Sequence, residues 1–185
     1  MIKRLSRRPG ILHGSLLTLV CLSPAAHAGA AGCAGTVEGS VLGPVATPTI
    51  VSFDTAVSDA ANPALFQQFI AGLRRAGVAT ANNGQGNTHL SLTFKVTQSA
   101  TGSSGPTTGT YSDFSWVTGE NAPSAQQFNI RGATLSLTAE ATDIKSQSLA
   151  WIGTLKCTVM DADPNIVAED LGNTVGRSIG RSKER

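Results

Sequence analysis

A chain of 185 residues, 41% of them hydrophobic and only 14% charged, has material for one core of domain size rather than several. Its formal net charge is +2, yet four of its 14 basic residues (Lys3, Arg4, Arg7 and Arg8) crowd the extreme N-terminus. Without that segment ten basic residues face twelve acidic ones, a net of −2, so charge gives no case for nucleic-acid binding.

Those four cations open a secretory pattern. An apolar stretch over residues 11–22 follows, then Pro24, then Ala26-His27-Ala28 with small residues where a signal peptidase inspects. The apolar stretch is too short to span a bilayer. Residues 1–28 are therefore expected to be a cleaved signal peptide, and the protein to be periplasmic or associated with the outer membrane. Cys21 leaves with the signal, so Cys33 and Cys157 remain. In an oxidising compartment two leftover thiols pair most simply as one disulfide. An alternative makes Cys33 a lipid-bearing N-terminus, since residues 29–32 are all Gly or Ala, although the usual Leu three positions before the Cys is missing. Membrane association is expected only in that second case.

Residues 29–47 are rich in Ala, Gly and Val and read as an extended N-terminal arm, with a single domain over residues 48–180 and a basic tail at 181–185. Within the domain, residues 49–57 alternate loosely around Ile50, Val51 and Phe53, as in a first strand. Asn62 and Pro63 supply a cap and a first-turn proline for a helix closed by Gly77. Leu65, Phe66, Phe69, Ile70 and Leu73 form its one apolar stripe. Residues 88–98 alternate cleanly, Leu90, Leu92, Phe94 and Val96 on one face and His89, Ser91, Thr93 and Lys95 on the other. Residues 99–110 read as a Gly/Ser/Thr loop or hairpin tip, and residues 111–117 as a strand. Residues 133–141 and 149–159 form a hairpin, with Leu149, Trp151, Leu155, Cys157 and Val159 expected on one face. A final helix starts at Asp163-Pro164 and carries Val167, Leu171, Val175 and Ile179 every fourth residue. Gly172, Gly176 and Gly180 repeat at the same interval. Glycine costs about 1 kcal/mol of helix propensity against alanine, so the repeat predicts a close backbone approach, expected here to the sheet beneath. These elements predict an α+β fold: a two-layer sandwich of a mainly antiparallel sheet with two helices on one face.

Catalytic sets are hard to assemble from what remains. Beyond the signal segment His89 is the one histidine, and it falls on the polar face of a strand. Metal-ligand and reactive-thiol spacings do not occur, and no cofactor motif is recognisable. Asp161, Asp163, Glu169 and Asp170 are the one place where paired carboxylates for glycoside hydrolysis could arise. Around a helix N-terminus, however, such groups read more simply as caps and dipole partners.

The hairpin Leu135-Ser-Leu-Thr-Ala-Glu-Ala-Thr-Asp143, followed by Leu149-Ala-Trp151-Ile-Gly153, resembles a signature of small bacterial envelope proteins. Phe53-Asp54 in the first strand and the helix ending Leu73 to Gly77 fit the same plan. The chain is thus similar to uncharacterised envelope lipoproteins with an α+β sandwich, and more distantly to the N-terminal domain of the TolB translocation protein and the curli secretion channel lipoprotein. What the resemblance implies is non-catalytic assembly, trafficking or maintenance work through contacts with envelope proteins. An exposed sheet edge or the loop at residues 99–110 would be the contact surface. The alternative is a periplasmic binding module for a small apolar or glycan ligand, stacked on Tyr111, Phe114 and Trp116 or held between helix and sheet. Intact-mass measurement of the purified protein checks the processing: the expected N-terminus is Gly29, and acylation at Cys33 or retention of residues 1–28 would contradict it.

Overall fold

A computed structural model describes residues 32–53, 62–81, 85–98, 107–118, 130–161 and 163–182. They form a sheet of seven strands: β1 (Cys33–Val41), β2 (Ile50–Ser52), β3 (Ala79–Thr80), β4 (Thr88–Gln98), β5 (Thr107–Tyr111), β6 (Thr134–Asp143) and β7 (Ser148–Val159). Three helices accompany it: α1 (Pro63–Arg75), α2 (Ser115–Thr118) and α3 (Pro164–Ser178). The α+β layout and the mainly antiparallel sheet are the expected ones, and a third, short helix, α2, joins the two that were expected. Strand order is β1-β7-β6-β4-β2-β3. Strand β2 runs parallel to both β3 and β4, and the other pairings are antiparallel. One side of β4 is shared: β2 pairs with its first residues, Thr88 and His89, and β5 with its last, Phe94 to Gln98.

Period-two alternation in β4, β6 and β7 puts Leu90, Leu92, Phe94, Leu135, Leu137, Trp151 and Leu155 on one buried face. Helices α1 and α3 cover that face with Phe66, Phe69, Leu73, Val167, Leu171 and Val175. Both helix starts follow their local chemistry. The Asn62 side chain accepts from the Leu65 N–H at 3.3 Å and Asp163 from the Asn165 N–H at 2.9 Å, with Pro63 and Pro164 in the first turns. Helix α1 closes through Gly77 at φ +89°, a left-handed position suited to glycine.

The glycine repeat does bring backbone close to backbone, but its partner is α1 rather than the sheet. A Cβ on Gly172 would fall on the Phe69 carbonyl oxygen, and one on Gly176 would lie 2.7 Å from the Ala76 Cβ. The contact is reciprocal, because a Cβ on Gly72 would land on the Glu169 carbonyl and 2.6 Å from the Asn173 nitrogen. Gly180 has another role, sitting beyond the helix at φ +74°.

Other expectations shift too. Within the expected N-terminal arm, Cys33–Val41 is strand β1 at the edge of the sheet, and residues 29–31 lie outside the described residues. The strand expected over residues 111–117 ends at Tyr111 and gives way to α2, while the preceding Gly/Ser/Thr run contributes β5 from Thr107 onward. Leu149 leaves the buried face: Ala141 pairs with Trp151 but Thr142 pairs with Leu149, so Ala150 is an inserted bulge residue and Leu149 turns outward, 37% exposed. At the hairpin turn, the backbone N–H and then the hydroxyl of Ser146 bond to Asp143 and hold its carboxyl below the ordinary 3.8.

Gly172→Ala is expected to destabilise the fold by about 3 kcal/mol or more, because the clash with backbone outweighs the roughly 1 kcal/mol gained in helix propensity. Gly43→Ala is the control, since its added Cβ meets nothing nearer than 3.7 Å. Urea denaturation checks both, and equal midpoints for the two variants would contradict the packing argument.

Candidate functional site

Of the three aromatic residues expected to form a ligand surface, two are interior. Phe114 is 2% exposed and Trp116 is fully buried, while Tyr111 is half-buried at the end of β5. Phe114 packs against Phe66, Phe69 and Phe94, and Trp116 lies 5.8 Å from Phe94 between ring centroids. The local cause is an Asx turn in which Asp113 accepts from the Ser115 N–H at 2.9 Å. It ends the extended chain and swings the following residues over the core. These rings are core filler, and they offer no platform on which a sugar could stack.

The acidic residues around α3 also have structural partners. Asp161 accepts from the Asp163 N–H at 2.9 Å, and Asp163 caps the helix. Glu169 pairs with Arg75 on α1, and Asp170 accepts from the Gly32 N–H. His89 is half-buried in β4, between Ser52 and Thr142 in register. Among the described residues no cluster of three or more His, Cys, Asp or Glu could hold a metal ion, and no helix is long and apolar enough to cross a membrane. Residues 99–106 of the expected contact loop, and the whole signal segment, lie outside the described residues.

What the structure does bring together is the outer edge of β1. Strand β1 pairs with β7 over nine residue positions, from Cys33 opposite Val159 to Val41 opposite Trp151. A disulfide joins Cys33 to Cys157, whose strand neighbour is Gly35, with Cα atoms 5.6 Å apart. The Cys33 sulfur is thereby engaged and cannot carry a thioether lipid at the same time. Trp151 lies beneath β1: its indole N–H donates to the Arg181 carbonyl at 3.0 Å, and a Cβ on Gly39 would sit 3.0 Å from that nitrogen.

Among the described residues, no strand pairs with the outer side of β1. Natural edges are usually blunted by brevity, lysine, proline or a bulge. The opposite edge follows that rule, since β3 has two residues. Strand β1 does not: CAGTVEGSV carries no lysine, arginine or proline and a single charge, Glu38. Large apolar side chains are exposed at both of its ends. Val41 and Leu42 are 45% and 58% exposed at one end, where the Leu42 and Gly43 N–H groups donate to the Ala150 carbonyl. Met160 is 52% exposed at the other, its N–H donating to the Gly32 carbonyl at 2.9 Å. The two cysteines pair as the sequence predicts, whereas nothing in the composition of residues 33–41 marks them as the edge of the sheet.

No protein-family profile matches the chain, and no curated protein does. Among solved structures, the chain is similar to the PelC dodecamer from Paraburkholderia phytofirmans, with 17% identity over 80% of this chain and 100% of that one, at a TM-score of 0.42. A point variant of the same dodecamer gives 18% identity, 82% and 100% coverage and a TM-score of 0.40. A PDZ domain protein from Parabacteroides distasonis gives 10% identity over 83% of this chain and 38% of its own, at 0.46. Likeness at this level assigns no function.

Closing a loop of 124 residues, the disulfide removes about 5 kcal/mol of unfolded-chain entropy in the simplest view. Cys33→Ser is expected to lower unfolding free energy by about 2–5 kcal/mol, and reductant to do the same to the unaltered protein. Urea midpoints that ignore both treatments would show that the cross-link contributes nothing.

Proposed function

We propose that this is a non-catalytic, exported cell-envelope protein that acts in assembly, trafficking or maintenance through protein contacts made along β1. The observation that carries the reading is the unblunted nine-residue edge with exposed apolar residues at both ends. A strand edge of this kind binds by extending the sheet: main-chain hydrogen bonds supply affinity and the flanking side chains supply selectivity. Export is supported by the N-terminal charge and hydropathy pattern, and by a cross-strand disulfide of the sort that persists in oxidising compartments. A structural rather than catalytic use of the acidic groups is supported by the partner each one has. The sequence resemblance to envelope assembly proteins points the same way.

Site-specific photo-cross-linking in living cells tests the proposal. A photoreactive residue at Ser40, exposed on β1, is expected to yield protein adducts from the envelope fraction. The same residue at Thr93, exposed on the open face of β4, serves as the control. Absence of any adduct from Ser40, or equal adducts from both positions, would overturn the assignment to β1.

A further inference from the structure

Beyond that reading, we propose that the end of the sandwich where β1 stops and β7 begins rests on a bilayer surface rich in anionic phospholipid, with no attached lipid. Strand pairing assembles an apolar ridge there. Val41 lies opposite Trp151, and the Leu42 and Gly43 N–H groups both donate to the Ala150 carbonyl, at 2.8 and 3.0 Å. Leu149 precedes Ala150 and is turned outward by the bulge. Val41, Leu42 and Leu149 therefore adjoin one another, and they are three of the five large apolar side chains exposed among the described residues. The other two, Met160 and Ile166, lie at the far end, where β7 stops and α3 starts.

Exposed cations share this end. Lys145 is in the turn between β6 and β7, Arg177 in the last turn of α3, and Arg181 is held beside β1 by the Trp151 bond to its carbonyl. Arg74, in the last turn of α1, donates from Nε to the Thr80 hydroxyl at 3.1 Å. Thr80, Val51, Thr88 and Asp143 are in register across four strands, which puts the end of α1 level with that turn. In sequence Lys183 and Arg185 follow Arg181, against Glu184. Acids are sparser here. Asp143 is occupied by Ser146, and Glu140 is the next along β6, while Asp161, Asp163 and Asp170 lie at the opposite end around the first half of α3. A helix C-terminus attracts cations by itself, which accounts for Arg74 and Arg177. It accounts neither for Lys145 and Arg181 nor for an apolar ridge left among them. The cations come from four separate elements at one end, so a broad, flat anion meets them together, as a bilayer does. Apolar side chains then enter the headgroup boundary while each basic group strengthens binding about fivefold. In this pose β1 rises from the membrane with its outer edge still open, so lipid and protein contacts do not compete.

Co-sedimentation with vesicles tests the inference. The purified exported protein is expected to pellet with phosphatidylglycerol vesicles but not with phosphatidylcholine vesicles, and added salt is expected to release it. Lys145→Gln/Arg177→Gln is expected to weaken binding about twentyfold, at roughly fivefold for each cation. Leu42→Ser/Leu149→Ser is expected to weaken it at least about tenfold. All four side chains are exposed, and circular dichroism confirms that the variants fold. Lys95→Gln/Lys156→Gln removes two exposed cations from the open sheet face and is expected to leave binding within about twofold. No binding to phosphatidylglycerol, or an equal loss from the two charge variants, would overturn the inference. So would a photoreactive residue at Leu42 that yields protein adducts in cells and no lipid adducts. Ser40 adducts report on the wider proposal separately, and their presence or absence leaves the vesicle result unchanged.

Discussion

Two helices can lie side by side over one narrow sheet face only if their axes come close enough to leave no unfilled strip between them. Here α1 and α3 achieve this by meeting backbone to backbone, with Gly72 of one against Glu169 and Gly172 of the other against Phe69. That approach lets Phe66, Phe69, Val167 and Leu171 reach the same layer of strand residues. It also tolerates no substituent at either glycine. The aromatic cluster, the seating of α3 beside β1 and the Asp170 bond to Gly32 all presuppose it.

Much of this plan was legible in the sequence, and what escaped did so for identifiable reasons. The caps at Asn62 and Asp163, the stripes of α1 and α3 and the alternation of β4, β6 and β7 are local patterns, and local patterns survive folding. The repeat at Gly172 and Gly176 announced a close approach but not the surface approached, because a spacing records need and not the identity of a neighbour. Gly72 sits within an otherwise ordinary helix and becomes meaningful only against α3. Leu149 was misplaced by one inserted residue, since Ala150 reverses the alternation that a period-two reading assumes.

The candidate site was the less legible part. Aromatic residues at 111–117 looked like a strand with a stacking face, but the Asp113 turn outweighs β propensity there and delivers Phe114 and Trp116 to the core. Strand β1 was hidden for the opposite reason. Its Ala, Gly and Val carry weak alternation, and its strand character comes from β7, a partner more than a hundred residues away. The two cysteines were the one sequence signal that linked these distant segments, and they report the pairing correctly.

The distance between those cysteines has a consequence for the order of events during synthesis. Strand β1 is the first of the sheet to be made, and β7, the strand it pairs with, is the last. Until β7 emerges, β1 has no native neighbour in its own chain, and the Cys33 thiol has no native mate. The middle of the sheet can assemble while its first strand waits. The edge can thus be seated against its partner only once β7 is made, although it is the earliest strand to be translated. Oxidation of Cys33 with Cys157 requires every strand of the sheet to have emerged, with α3 still to follow.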